Sequence, residues 1–112
     1  MIVSIDHIVI TVSDINKSIY FYCNILGMEM NEFYSKSDDT VRKSLKFGNQ
    51  KINLHKASNP YKPNAQVAIP GTLDIFFLTE KPLSEWVNIF NNNKINIELG
   101  PVNKTGANGP IV

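Results

Sequence analysis

The sequence predicts an α+β fold of tandem βαβββ modules, in which the second module lacks its last strands. Two observations predict it. Strand-like and helix-like apolar patterns follow one another in the order strand, helix, strand. The same order then restarts after a segment rich in proline and glycine, residues 57–71, which is typical of a linker. We therefore interpret residues 1–112 as a single domain that contains an internal repeat.

Residues 1–56 form the predicted first module. Residues 2–12 are β-branched and apolar, which favours a largely buried strand. Ser13 or Asp14 is suited to cap a helix with an apolar stripe, and Gly27 is suited to end it. Three further strands are predicted, at residues 28–35, 41–48 and 51–56.

Residues 72–112 form the predicted second module, which is incomplete. Leu73 to Thr79 has the composition of a strand, and Pro82 suits the first turn of a helix. Residues 95–99 alternate between apolar and polar side chains, as a half-buried strand does. The second module is thus predicted to begin with a strand, a helix and a second strand.

The two modules can be overlaid with an offset of 67 residues, which places His7 on Asp74. Core-type residues then fall on core-type residues, for example Ile19 on Trp86. Chance agreement between two ordinary βαβ segments is the alternative. The third and fourth strands should recur from about residue 108 onward, and Ile111-Val112 would only begin the third. Either further residues supply these strands or another subunit covers the exposed sheet edge.

Composition excludes several classes of protein. The 11 basic and 10 acidic residues leave a net charge of +1, which gives no argument for a nucleic-acid, membrane-surface or acidic partner. Cys23 has no second cysteine to pair with, which fits a reducing compartment. The N-terminus shows no signal-peptide pattern and no segment has the length of an apolar membrane span. We expect a cytoplasmic protein.

Two histidines and one aspartate are the candidate metal ligands. His7 and His55 lie on predicted strands, where a histidine taken alone is more often a hydrogen-bonded structural residue. Asp74 lies within a predicted apolar strand, so its carboxylate must be paired, metal-bound or in contact with water. Equivalent positions of a repeat meet when the modules pack about a pseudo-twofold axis. Two imidazoles and a carboxylate suit a divalent ion with positions left for a substrate.

Several short segments carry a family resemblance, and it extends over the whole chain: Asp6–Asp14, Ser18–Tyr22, Leu26–Met28, Phe47–His55, Gly71–Ile75, Glu98–Val102 and Thr105–Ala107. These segments resemble the vicinal-oxygen-chelate superfamily, which includes glyoxalase I, bleomycin- and fosfomycin-resistance proteins and ring-cleaving dioxygenases. Within it, they are most similar to the subgroup of glyoxalase domain-containing protein 5 and its bacterial relatives.

The resemblance implies paired βαβββ modules, usually in a homodimer, with a metal ion in the cup that two modules form. His7 matches the ligand on the first strand. Asn53 occupies the position of the acidic ligand of glyoxalase I, and His55, two residues on, is the expected substitute. Asp74 stands where a histidine is common, and the usual final glutamate ligand would fall beyond Val112.

The function that the resemblance implies is that of a divalent-metal-dependent enzyme acting on a small oxygen-chelating substrate. It would be a ring-cleaving dioxygenase-like enzyme or a glyoxalase-like lyase, and glyoxalase I itself is disfavoured by Asn53. Fe, Mn, Ni and Zn are not distinguished by these residues. Asn53 and Lys104 are the expected substrate contacts, and no catalytic residue is assigned. The alternative is a non-catalytic small-molecule-binding protein of the bleomycin-resistance type.

Overall fold

The computed structural model describes residues 1–112, which divide into two compact units, Met1–Ile75 and Phe76–Val112. The first unit contains one helix and four strands, in an order that matches the predicted first module. These elements are β1 (Ile8–Val12), α1 (Ile15–Ile19) continued by a π-helix (Tyr20–Ile25), β2 (Glu29–Ser35), β3 (Thr40–Phe47) and β4 (Gln50–Lys56).

The four strands form one sheet with the spatial order β1-β4-β3-β2. β1 runs parallel to β4, and the other neighbouring pairs are antiparallel. Ile52 of β4 pairs with Ile8 of β1 on one side and with Leu45 of β3 on the other. The last strand of the unit is therefore a central strand, and β1 lies at the edge of the sheet.

The core lies on one face of this sheet, where helix α1 and its π-helical extension cover it. Leu45 and Ile52 are fully buried and Leu54 almost so. Ile15 and Ile19 of the helix are partly buried and pack against this cluster. The apolar stripe of the helix and the alternating apolar residues of three strands thus bury one another.

The predicted helix limits are confirmed. The Asp14 side chain accepts a hydrogen bond from the backbone N–H of Lys17 (3.0 Å), as an N-cap does. Gly27 has a φ of 83°, a conformation that a residue without a side chain adopts easily at a helix end. Between them the helix widens, because the N–H of Leu26 donates to the carbonyl of Phe21, five residues back (3.0 Å).

The second unit contains helix α2 (Leu83–Asn92) and a hairpin of two short strands, β5 (Lys104–Gly106) and β6 (Gly109–Ile111). Within α2 the rings of Trp86 and Phe90 stack with centroids 5.9 Å apart. The indole N–H of Trp86 donates to the Thr79 hydroxyl (3.1 Å). None of the helices combines the length and the apolar character that crossing a bilayer requires.

Some of the predicted strand limits are wrong. The first strand begins only at Ile8, and neither Leu73–Thr79 nor residues 95–99 form a strand. A strand requires a neighbouring chain that accepts its backbone hydrogen bonds, and neither segment belongs to either sheet. In residues 95–99 the apolar side chains of Ile95 and Ile97 are still half-buried while Asn96 and Glu98 are exposed. The alternating pattern therefore predicted the partial burial of Ile95 and Ile97, whereas Leu99 is 69% exposed and no strand pairing forms.

The core predicts a clear difference between two substitutions in neighbouring strands. Ile52→Ala removes a fully buried side chain from the central strand, so it should lower the free energy of unfolding by about 2–5 kcal/mol. Val41→Ala in β3 is the control, because this side chain is 56% exposed and its loss should cost about 0.5 kcal/mol or less. Urea-induced unfolding measures both values. Equal losses would show that the core does not lie on this face of the sheet.

Candidate functional site

The sheet face opposite the apolar core carries polar side chains. Alternate residues of a strand lie on the same face, and the register places Val9, Asn53 and Ser44 side by side across three strands. Thr11 is paired with His55 in the same register. We call the following residues the polar face: Thr11, Arg42, Ser44, Asn53 and His55.

Two atoms of the polar face are buried without a hydrogen-bond partner, Asn53 Oδ1 and His55 Nδ1. Most buried polar atoms in proteins are paired, and an unpaired one costs about 1–3 kcal/mol. The two residues are two positions apart on β4, so their side chains project from the same face. A metal ion, a ligand group or an ordered water would satisfy these atoms. They mark the point of the polar face that is best suited to bind a small group.

Tyr61, which follows β4 in the sequence, covers His55. The two rings meet edge to face, with centroids 5.3 Å apart and an interplanar angle of 88°. The Arg42 guanidinium lies over the Tyr61 ring, 4.3 Å from its centroid. Burial of the imidazole, and secondly the charge of Arg42, lower the pKa of His55 below its ordinary value of 6.5. His55 is therefore held in its neutral form, which is the form that binds metal ions.

His7 immediately precedes β1, and its imidazole is held by its neighbour in the sequence. Its Nδ1 donates a hydrogen bond to Asp6 Oδ2 (2.7 Å). The same bond and the charge of His7 lower the pKa of the Asp6 carboxyl. Histidines that bind metal ions usually donate one ring N–H to a carboxylate or carbonyl, which fixes the tautomer and leaves the other nitrogen as the ligand. His7 has this arrangement, with Nε2 as the nitrogen that remains.

The other two predicted site residues lie in different surroundings. Asp74 is exposed and lies outside any strand. Its carboxylate is in contact with water, which is one of the three alternatives predicted for it, whereas the strand predicted around it is absent. Lys104 is exposed at the start of β5 in the second unit. No group of three or more His, Cys, Asp and Glu side chains is assembled that could hold a metal ion. The structure thus brings together Asn53 and His55. His7 lies four residues before the Thr11 that pairs with His55, and neither His7 nor Asp74 is part of such a group.

Sequence reasoning missed two residues of the site. Arg42 was not among the candidate residues, although its position two residues before Ser44 on a predicted strand indicates that both lie on one face of that strand. Tyr61 lies within the predicted linker, and no pattern in that segment indicated its contact with His55. Such a contact depends on how the segment folds back over the sheet.

A cavity of about 340 Å³ lies beside the edge strand β1. Thr11 of the polar face contributes to its wall, together with Ser18 and Tyr22 of the helical segment. Residues of the 65–75 segment, including Thr72, form the remaining wall. Its size is within the range of small-molecule sites in proteins, about 300–1,000 Å³. The first unit therefore has space for a small ligand next to one end of the polar face.

Two curated relatives are similar to this chain over almost its whole length. Virulence protein STM3117 of Salmonella typhimurium is 42% identical over 108 residues, which are 96% of this chain and 72% of that protein. The glyoxalase domain-containing protein RDO1 of Mycosarcoma maydis is 39% identical over 109 residues. This chain spans only 58% of the length of RDO1.

Solved structures show the same similarity in three dimensions. The crystal structure of STM3117 matches with a TM-score of 0.84 at 41% identity, covering 98% of this chain and 83% of that one. The integron cassette protein VCH_CASS1 of V. cholerae matches with a TM-score of 0.87 at 38% identity, covering 98% and 82% of the two chains. The model of the Glyoxalase/Bleomycin resistance protein/Dioxygenase superfamily matches residues 4–109, and this chain belongs to that superfamily.

Proposed function

We propose that this protein is a divalent-metal-dependent enzyme that acts on a small oxygen-chelating substrate, as a ring-cleaving dioxygenase-like enzyme or a glyoxalase-like lyase. The observation that carries the proposal is the state of its two histidines. His7 has one ring nitrogen fixed by Asp6, and His55 is buried and neutral with an unpaired Nδ1. His55 therefore has the neutral form that a metal ligand requires, and His7 has the carboxylate partner that orients ligating histidines.

The types of the proposed ligands suit a divalent ion of intermediate softness, although one chain does not assemble them into a group. Imidazole nitrogen and amide or carboxylate oxygen suit Fe, Mn, Ni and Zn. His7 and His55 would provide nitrogen ligands, and Asp74 is the proposed oxygen ligand. The cup would be completed by a second module, which the predicted homodimer would provide. A cytoplasmic location and closeness to glyoxalase domain-containing protein 5 remain predictions.

The chain's own residues define how a substrate would be bound. A bound divalent ion would act as a Lewis acid on substrate oxygens. The unpaired Oδ1 of Asn53 would accept a hydrogen bond from a substrate hydroxyl. Tyr61 would exclude water from His55, and Lys104 is the proposed second substrate contact. Asn53 is neutral and stands where glyoxalase I has an acidic ligand, which favours the dioxygenase-like version.

A second candidate is a non-catalytic protein that binds a small molecule, as in bleomycin resistance. The observation that favours it is the pairing of cations with aromatic rings on this side of the sheet. Arg42 lies over Tyr61, and Lys51 Nζ lies 4.9 Å from the centroid of the Phe33 ring. Such surfaces bind organic ligands without a metal ion. Metal analysis distinguishes the two candidates.

The lowered pKa of His55 predicts how stability depends on pH. As the pH falls below 6.5, this histidine protonates in the unfolded chain before it does so in the folded protein. The unfolded state then binds more protons, so the free energy of unfolding should decrease toward the lower pKa of the folded state. His55→Gln should reduce this decrease, whereas the control His7→Gln should retain it. Urea titrations from pH 8 to pH 5 give the comparison, and identical curves for the wild type and His55→Gln would contradict it.

The proposed metal site predicts that substitutions of the two histidine ligands and of Asp6, which orients His7, change metal binding to different extents. The protein purified without chelator should contain Fe, Mn, Ni or Zn, and His7→Ala and His55→Ala should each remove it. Asp6→Asn weakens the orientation of His7, so the affinity for the metal should decrease about 10–100-fold. Elemental analysis and competition with a chromogenic chelator measure these effects.

Lys36→Ala is the control for this experiment, because Lys36 is exposed in the turn between β2 and β3. Its metal content should equal that of the wild type. A wild-type protein without metal, whose stability does not change when these ions are added, would disprove the enzyme and leave the small-molecule-binding protein.

A further inference from the structure

The two histidines of the site differ in what holds their rings. His7 is held by a hydrogen bond to a carboxylate. His55 has no such partner, since its Nδ1 is buried and unpaired. A ligating histidine depends on a neighbouring group for its ring orientation. Something other than a hydrogen bond must therefore orient His55.

The aromatic ring of Tyr61 is the group that lies against the His55 imidazole and can orient it. Its edge-to-face contact with His55, at 5.3 Å and 88°, is one of the preferred geometries of aromatic pairs. His55 is only 5% exposed, and Tyr61, in the segment after β4, contacts its imidazole directly. The contact can therefore both orient the imidazole and contribute to its burial.

Tyr61 is itself held in place by residues of strand β3. The Arg42 guanidinium lies over its ring at 4.3 Å, and the phenol hydroxyl donates to the Val41 carbonyl at a longer distance of 3.3 Å. Arg42 is fixed in turn by a salt bridge to Asp38 and a hydrogen bond to Thr40. These contacts form a continuous series from the β2–β3 turn through Arg42 and Tyr61 to His55.

We propose that Tyr61 is the positioning residue of His55, and that Arg42 holds the Tyr61 ring in place for this purpose. The role of His55 in binding a metal ion rests on the proposed function, whereas the orientation and shielding of its imidazole do not. Tyr61 acts through its ring, because the ring makes the contacts to His55 and Arg42 and the hydroxyl makes only the longer bond to Val41.

Chemical modification of histidine by diethyl pyrocarbonate tests the proposal without a metal ion. The probe reacts with accessible neutral imidazole, and mass spectrometry separates the products of the two histidines. Tyr61→Leu should increase the rate at His55 at least several-fold relative to His7, which lies outside the contact and serves as the internal reference. Tyr61→Phe retains the ring and should react as the wild type does.

Arg42→Gln provides a second variant that keeps Tyr61 and removes the cation over its ring. It should increase the rate at His55 in the same direction and by less, and it decides the question if Tyr61→Leu does not fold. Unchanged relative rates at His55 in the folded variants would overturn the proposal. An equal increase in Tyr61→Phe and Tyr61→Leu would also overturn it, since the hydroxyl would then be the responsible group.

Cobalt binding tests the consequence for the metal site. Co²⁺ affinity, measured by its visible absorption, should fall about 10-fold or more in Tyr61→Leu and stay unchanged in Tyr61→Phe. A wild type that binds no Co²⁺ would count against the proposed function, and the modification rates would still decide whether Tyr61 positions His55. The two proposals can therefore fail separately.

Discussion

Strand β4 is a central strand with Ile52 and Leu54 buried on one face and His55 buried on the other, and the rest of the first unit depends on this constraint. Its Ile52 and Leu54 face the core, and its Asn53 and His55 face the polar side. Because side chains alternate along a strand, a register shift of one residue would move the apolar pair out of the core and the polar pair into it. The same hydrophobic burial that fixes the register of β4 therefore also places the site residues.

Much of the first unit could be predicted from local patterns, because its elements have strong local signals. Alternation located β2, β3 and β4, and the cap at Asp14 and the stop at Gly27 located the helix. The segments 73–79 and 95–99 had similar patterns and form no strand. A periodic or apolar pattern indicates which side chains a segment can bury, whereas burial and strand pairing both require a partner elsewhere in space; Phe76 and Leu78 remain exposed. That partner is not encoded within the segment.

The same distinction applies to the candidate site. His55 and Asn53 could be predicted because both lie two positions apart on a strand with a clear pattern. Tyr61 could not, because its contacts to Arg42 and His55 join a segment without regular structure to the middle of a sheet. Asp74 was predicted to lie within an apolar strand, with its carboxylate paired, metal-bound or in contact with water; the residue is exposed and lies outside any strand.

Two buried atoms, Asn53 Oδ1 and His55 Nδ1, have no hydrogen-bond partner, and this lowers the free energy of unfolding. Each costs about 1–3 kcal/mol, which is large compared with the total stability of about 5–15 kcal/mol that a domain has. Apolar side chains at these two positions would avoid this loss of stability, as the apolar Ile52 and Leu54 do on the opposite face. Buried polar atoms without a partner are concentrated at functional sites, because a bound ligand can supply the missing hydrogen bond. Under the proposed function, a bound group would give Asn53 Oδ1 and His55 Nδ1 the partners that the chain itself does not provide.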